Sequence, residues 1–115
     1  MPISPLPNFE KAEISERKLI GYVLNADHPT GSHKARRLRS VLGFEMDHAD
    51  DVMSQIKNNL PFSEAVAGRL DEHGQRYSVD MTLTDPAGSA TVRTGWIIDA
   101  NSANPRLTTM FVKES

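Results

Sequence analysis

"RYSVDMTLTDPAGSATVRTGWIID", residues 76–99, decides the architecture. Its first eight residues alternate Tyr77, Val79, Met81 and Leu83 with Arg76, Ser78, Asp80 and Thr82. Successive side chains of an extended chain point to opposite faces, so this alternation predicts a strand with one buried and one wet face. "TDPAGS" supplies Asp, Pro and Gly, the residues that reverse a chain. "ATVRTGWIID" is then expected to return antiparallel, with Thr94 and Trp96 on one face and Arg93 on the other. A further strand is expected in "PRLTTMFV" after the turn "ANSANP", and a weaker one in "FSEAVAGRL" before the hairpin.

Upstream the period lengthens to that of a helix. Ser15 can cap "ISERKLIGYVL", which sets Leu19, Ile20, Val23 and Leu24 on one side. This helix is expected to end near Asn25, because Pro29 disfavours helical geometry at His28. Ser32 can cap a second helix with Ala35, Leu38 and Leu42 inward, Arg36, Arg37 and Arg39 mostly outward, and Gly43 as its stop. Asp47 opens a third, in which Ala49, Val52, Met53, Ile56 and Leu60 recur until Pro61. The expected fold is α+β: about three N-terminal helices packed on one face of a C-terminal antiparallel sheet of three to four strands. Pro2, Pro5 and Pro7 make residues 1–13 an extended segment, expected to be poorly ordered up to about Glu10, ahead of a single domain over 14–115.

A chain of 115 residues fits one domain, and 38% apolar with 24% charged residues is a globular balance. No run approaches the roughly 18 apolar residues of a membrane span. "MPISPLPNFEKAE" has neither the basic start nor the apolar centre of a secretion signal, so the expectation is a cytoplasmic protein, or a piece exported by a larger machine. The absence of cysteine excludes disulfides and thiolate metal sites. A net charge of −2 argues against nonspecific coating of nucleic acid, yet the charge is unevenly spread. Lys34, Arg36, Arg37 and Arg39 fall within a stretch that holds no acid, whereas Glu45, Asp47, Asp50 and Asp51 fall within one that holds no base. One local cationic region can therefore draw a polyanion to one place.

His28 lies in the loop "ADHPTG", beside Asp27 and shortly before Lys34. An imidazole titrates near neutral pH, so His28 can take or give a proton without a metal. A helix opening near Ser32 adds free backbone N–H groups and a positive dipole end, which favour a phosphate beside Lys34. "TGSHK" lacks the second glycine and the Lys-Ser/Thr ending of a nucleotide-binding phosphate loop. His33 can pair with His28 as acid and base, or stand exposed on the helix. His48 in "DHADD" and His73 in "DEH" lack the partners of a metal site, so no metal and no cofactor are expected. A lone Trp in a small domain is ordinarily core, and strand threonines such as Thr94, Thr108 and Thr109 ordinarily reflect β-propensity. Gly95 between Thr94 and Trp96 leaves one side of that strand bare for close approach.

Taken with "KLIGYVLNADHPTGSHKARRLRSVLGF" and "NPRLTTMFV", the hairpin resembles a small bacterial domain family of unknown function. That family's pattern is a Leu-Asn-x-Asp-His-Pro-x-Gly stretch followed by Lys-Ala, a Gly-rich turn, a Thr-x-Trp strand and a final Leu-x-Thr strand. The resemblance runs from about Lys18 to Val112; Ala26 stands where Pro is common, and Ser32 and His33 where variable or small residues are expected. The family occurs as a toxin-like module at the end of polymorphic secreted proteins and as short proteins encoded beside an antitoxin. The order of elements is also similar, more distantly, to the barnase, EndoU, colicin and RelE superfamily of metal-independent ribonucleases. By that likeness His28 would be the general acid/base, Lys34 the phosphate contact, Thr94 a phosphate hydrogen bond and Trp96 its packing partner. Ser32, His33, Arg36, Arg37 and Thr109 would complete the RNA and phosphate contacts.

The implied reaction is cleavage of RNA, with transfer RNA among the candidate substrates. A base activates the 2'-hydroxyl, cations steady the phosphate and an acid protonates the leaving 5' oxygen. The product is a 2',3'-cyclic phosphate, and DNA is spared for want of a 2'-hydroxyl. Such an enzyme implies a cognate antitoxin or immunity protein as partner. Two other expectations compete. One is a noncatalytic RNA- or protein-binding module of a toxin-antitoxin-like pair, docking through the basic second helix. The other is a structural module in which His28 and Thr94 satisfy buried hydrogen bonds.

Overall fold

Alternating apolar residues on two strands of equal length zip into a hairpin, and the hairpin over residues 74–99 is the spine of the protein. The structure, a computed structural model, describes residues 4–15, 17, 36–37, 48–85 and 88–113. Strand β1 (Ala65–Asp71), β2 (Gly74–Asp85), β3 (Gly88–Asp99) and β4 (Pro105–Val112) pair antiparallel in the order β1-β2-β3-β4. β2 and β3 run in unbroken register from Gly74 opposite Asp99 to Asp85 opposite Gly88. Gly74, at φ 142°, closes the β1–β2 turn where a side chain would run into the Ile98 carbonyl. In that turn Asp71 Oδ1 accepts the His73 backbone N–H at 2.9 Å, which accounts for the acidic run beside His73.

The alternation sorts the sheet into two faces. Val79, Met81 and Leu83 of β2, Val92, Thr94 and Trp96 of β3, and Leu107 and Met110 of β4 are buried on one of them. A register shift between Gly95 and Trp96 admits one extra residue on β4, so that Leu107 and Met110, three apart, both turn inward. Gly95 accommodates this bulge: a Cβ there would lie 2.9 Å from the Thr109 methyl and 3.3 Å from the Thr108 hydroxyl.

Helix α1 (Ala49–Asn59) lays Ala49, Val52 and Ile56 on the apolar face, and a 3-10 turn (Leu60–Phe62) carrying Pro61 ends it. Gln55 fixes its height on the sheet. Its side-chain oxygen accepts the Thr84 N–H at 2.8 Å and its amide donates to the Thr84 carbonyl at 2.6 Å. β2 outruns β1 at this end, so the helix supplies the backbone partners that a neighbouring strand would have given.

The expected arrangement of about three N-terminal helices on the sheet is corrected. The described protein is dominated by the four-stranded sheet, with α1 and short 3-10 turns beside it. "FSEAVAGRL" is a full strand over Ala65–Asp71 because pairing with β2, rather than burial of its own side chains, holds it. The helices expected to follow Ser15 and Ser32 lie, apart from Arg17, Arg36 and Arg37, outside the described residues.

The N-terminal residues, expected to be poorly ordered up to about Glu10, instead bury Leu6 in the core, with Ala12 and Ile14 after it. The Ser4 carbonyl accepts the Ala65 N–H at 2.8 Å. Asn8, in the left-handed region at φ 56°, donates from its side chain to the Ala103 carbonyl at 2.7 Å. Glu13 bonds β4 on both sides of Arg106, its N–H donating to Pro105 O and its carbonyl accepting the Leu107 N–H.

Candidate functional site

β3 places the Thr-x-Trp pair. In strand geometry residues two apart share a face, and Thr94 and Trp96 both point into the core with essentially no exposure. The Trp96 indole N–H donates to the Thr94 hydroxyl at 2.8 Å, and that hydroxyl donates in turn to the Val79 carbonyl at 2.7 Å. The only buried polar residue among those described is thus satisfied as donor and acceptor inside the protein. Thr109, paired with Gly95, belongs to the opposite face and is half-buried there. The sheet therefore brings Thr94 and Trp96 together and sets Thr109 apart from them.

Arg36 and Arg37 have helical backbone and are exposed. His28, Ser32, His33 and Lys34 lie outside the described residues. Among the described residues no group of three or more His, Asp or Glu side chains is placed to hold a metal ion. Among them, too, no helix is long and apolar enough to cross a membrane.

The opposite face carries a charge cluster that the Thr-x-Trp reading passed over. Arg93 reaches Asp80 with Nε at 2.8 Å and Nη2 at 3.1 Å, a two-pronged pairing across β2 and β3. Lys113, just past β4, adds its Nζ at 2.9 Å from the same carboxylate. β2, β3 and the residue after β4 thereby converge two cations on one acid. The Arg93 guanidinium holds the Asp80 carboxyl below the usual carboxylate range, with Lys113 acting in the same direction and burial opposing both. Beside the cluster lies a shallow depression of about 300 Å³ lined by Glu64, Val66, Ser78, Asp80 and Arg93.

Further along the same face Arg76, Ile97 and Arg106 stand in one cross-strand row. Ile97, between the two arginines of that row, is buried although it lies outside the main core. Arg106 is held by Asp99, Nε at 2.7 Å and Nη2 at 3.0 Å, which lowers the Asp99 carboxyl. Asp71 is lowered also, chiefly by the His73 backbone N–H. The signal for the Asp80–Arg93 pair was present in the sequence: both residues stand equally far from the hairpin turn, on the polar phase of their strands.

The chain belongs to a family described as a domain of unknown function (DUF6883), which matches residues 5–114. No curated protein matches it.

Proposed function

We propose that this member of the family is a toxin-like, metal-independent ribonuclease held in check by a cognate antitoxin or immunity protein. One observation carries the reading. The cationic run Lys34, Arg36, Arg37 and Arg39 follows His28 closely in a chain of net charge −2, and its described members Arg36 and Arg37 are exposed on helical backbone. Cations close in sequence to a proton-transferring imidazole are groups that cleavage of RNA through its own 2'-hydroxyl can use. In the proposed step the 2' oxygen attacks phosphorus and the bond to the 5' oxygen breaks, leaving a 2',3'-cyclic phosphate and a 5'-hydroxyl. His28 handles the proton, and Lys34, with Arg36, Arg37 and the backbone near Ser32 and His33, steadies the phosphate.

The sheet is the platform in this scheme. Thr94 and Trp96 hold β3 against β2 from inside the core, so their part is support for the site. Thr109 is among the hydroxyls on the opposite face of the sheet. The inhibitor follows from the activity, since such an enzyme endangers the cell that makes it. A small acidic protein covering Lys34 and Arg37 fits the charge. Expression in bacteria without the inhibitor tests the reading: the wild type is expected to arrest growth and the folded His28→Ala and Lys34→Ala variants to be tolerated. Equal growth with all three would overturn it.

A second reading, a noncatalytic RNA- or protein-binding module of a toxin-antitoxin-like pair, is favoured by the closed Thr94–Trp96 pair, whose polar atoms are spent within the core. It predicts binding that weakens steeply with salt, without cleavage.

A further inference from the structure

We propose that the sheet face at Arg93 and Lys113 is a phosphodiester-binding site for the backbone of single-stranded RNA. The choice of RNA rests on the ribonuclease reading; the anion site itself rests on geometry. Asp80 accepts from Arg93 Nε and Nη2 and from Lys113 Nζ, which fixes both cations in place without neutralising the pair. Within the cluster itself one carboxylate lies between two cations, which leaves one positive charge, the match for a single phosphodiester, with Glu64 across the depression offsetting part of it. A guanidinium fork and an ammonium have more donors than this carboxylate uses, and both side chains are well exposed, at 39% and 43%.

The surroundings suit a ribose-phosphate chain. Ser78, Thr82, Thr91 and Thr109 share the face, and Gly95 keeps it low between Ser78 and Thr109. Val66, exposed at 61%, offers an apolar shelf beside the depression that Arg93 borders. Glu64 on the rim of that depression repels an anion and directs the phosphate toward Lys113.

The test is anisotropy of a fluorescent, short single-stranded RNA carrying 2'-O-methyl groups, which cannot be cleaved by internal attack. Lys113→Gln and Arg93→Gln are compared with the full wild-type chain across a salt series. Each variant is expected to weaken binding about two- to fivefold, as for an exposed charge pair. Each should also flatten the slope of log affinity against log salt by about 0.7, the value for one lost contact to a single strand. Lys113 is exposed, so its variant keeps the fold; unchanged melting temperature verifies this. A wild type that binds this RNA through these residues yet leaves unmodified RNA of the same sequence uncut supports the site while removing the ribonuclease reading. A wild type that cuts the unmodified RNA while both variants bind like wild type overturns the site alone. Displacement of the RNA by a polyglutamate peptide at far lower charge concentration also overturns it, in favour of an acidic protein partner.

Discussion

Trp96 donates its indole N–H to the hydroxyl of Thr94, two residues back on the same strand, at 2.8 Å, and neither side chain meets solvent. Thr94 passes the bond on to the Val79 carbonyl of β2, so the pair ties β3 to β2 from within the apolar face. Thr94→Val keeps the shape and strands the indole N–H, at a cost of about 1–3 kcal/mol. Trp96→Phe removes the donor but leaves a gap where the larger ring stood. The double variant is expected to be more stable than the sum of the two losses, because no donor is then left unpaired. Urea denaturation of the four proteins measures this coupling, and strict additivity would contradict it.

Gly95 is held to its identity by the β4 bulge. Gly95→Ala sets a methyl 2.9 Å from the Thr109 methyl, and a loss of about 1–3 kcal/mol is expected. Since the obstructing atom is a side-chain methyl, Thr109→Ser should restore much of it. Thermal melts of the single and double variants provide the check; no rescue would place the strain in the backbone instead.

Acid is expected to destabilise the protein through Asp80 and Asp99. Arg93 lowers one carboxyl and Arg106 the other, relative to an unfolded value of about 3.9. The unfolded chain therefore binds these protons first as pH falls. The stabilisation is complete above the unfolded value and disappears as pH drops through the lowered folded values. Melting temperature followed from neutral pH downward should fall less steeply in Asp80→Asn with Asp99→Asn than in the wild type. Identical profiles would show that the carboxylates responsible lie elsewhere.

How much of this was legible depends on how each element is held. β2 and β3 could be read almost residue by residue, because their burial follows strict alternation on either side of one turn. The same alternation placed Thr94 and Trp96 on one face. It could not show that they bond to each other, since period two fixes direction and leaves distance to χ angles. β1 was faint because Val66 and Leu70 remain exposed and backbone pairing supports the strand. The N-terminal segment left no periodic trace: Leu6 and Ile14 are single apolar residues whose burial is decided by distant partners. Leu107 and Met110 break period two at a bulge that only the partner strand reveals.

Phe62 and Leu70, exposed at 80% and 71%, should tolerate polar replacement. Phe62→Ser and Leu70→Thr are each expected to change stability by no more than about 0.5 kcal/mol, the range for surface positions without special contacts. Chemical denaturation reads this directly. A large loss would mean that the edge of β1 is covered in solution.

The proposed chemistry is tested most directly by incubating the purified chain, and its His28→Ala form, with total bacterial RNA in EDTA, and examining the ends of the products. The expected result is a discrete set of fragments with 2',3'-cyclic phosphate ends from the wild type and intact RNA from the folded variant. Intact RNA with both folded proteins would contradict a metal-independent ribonuclease, and equal cleavage by both would remove His28 from the chemistry.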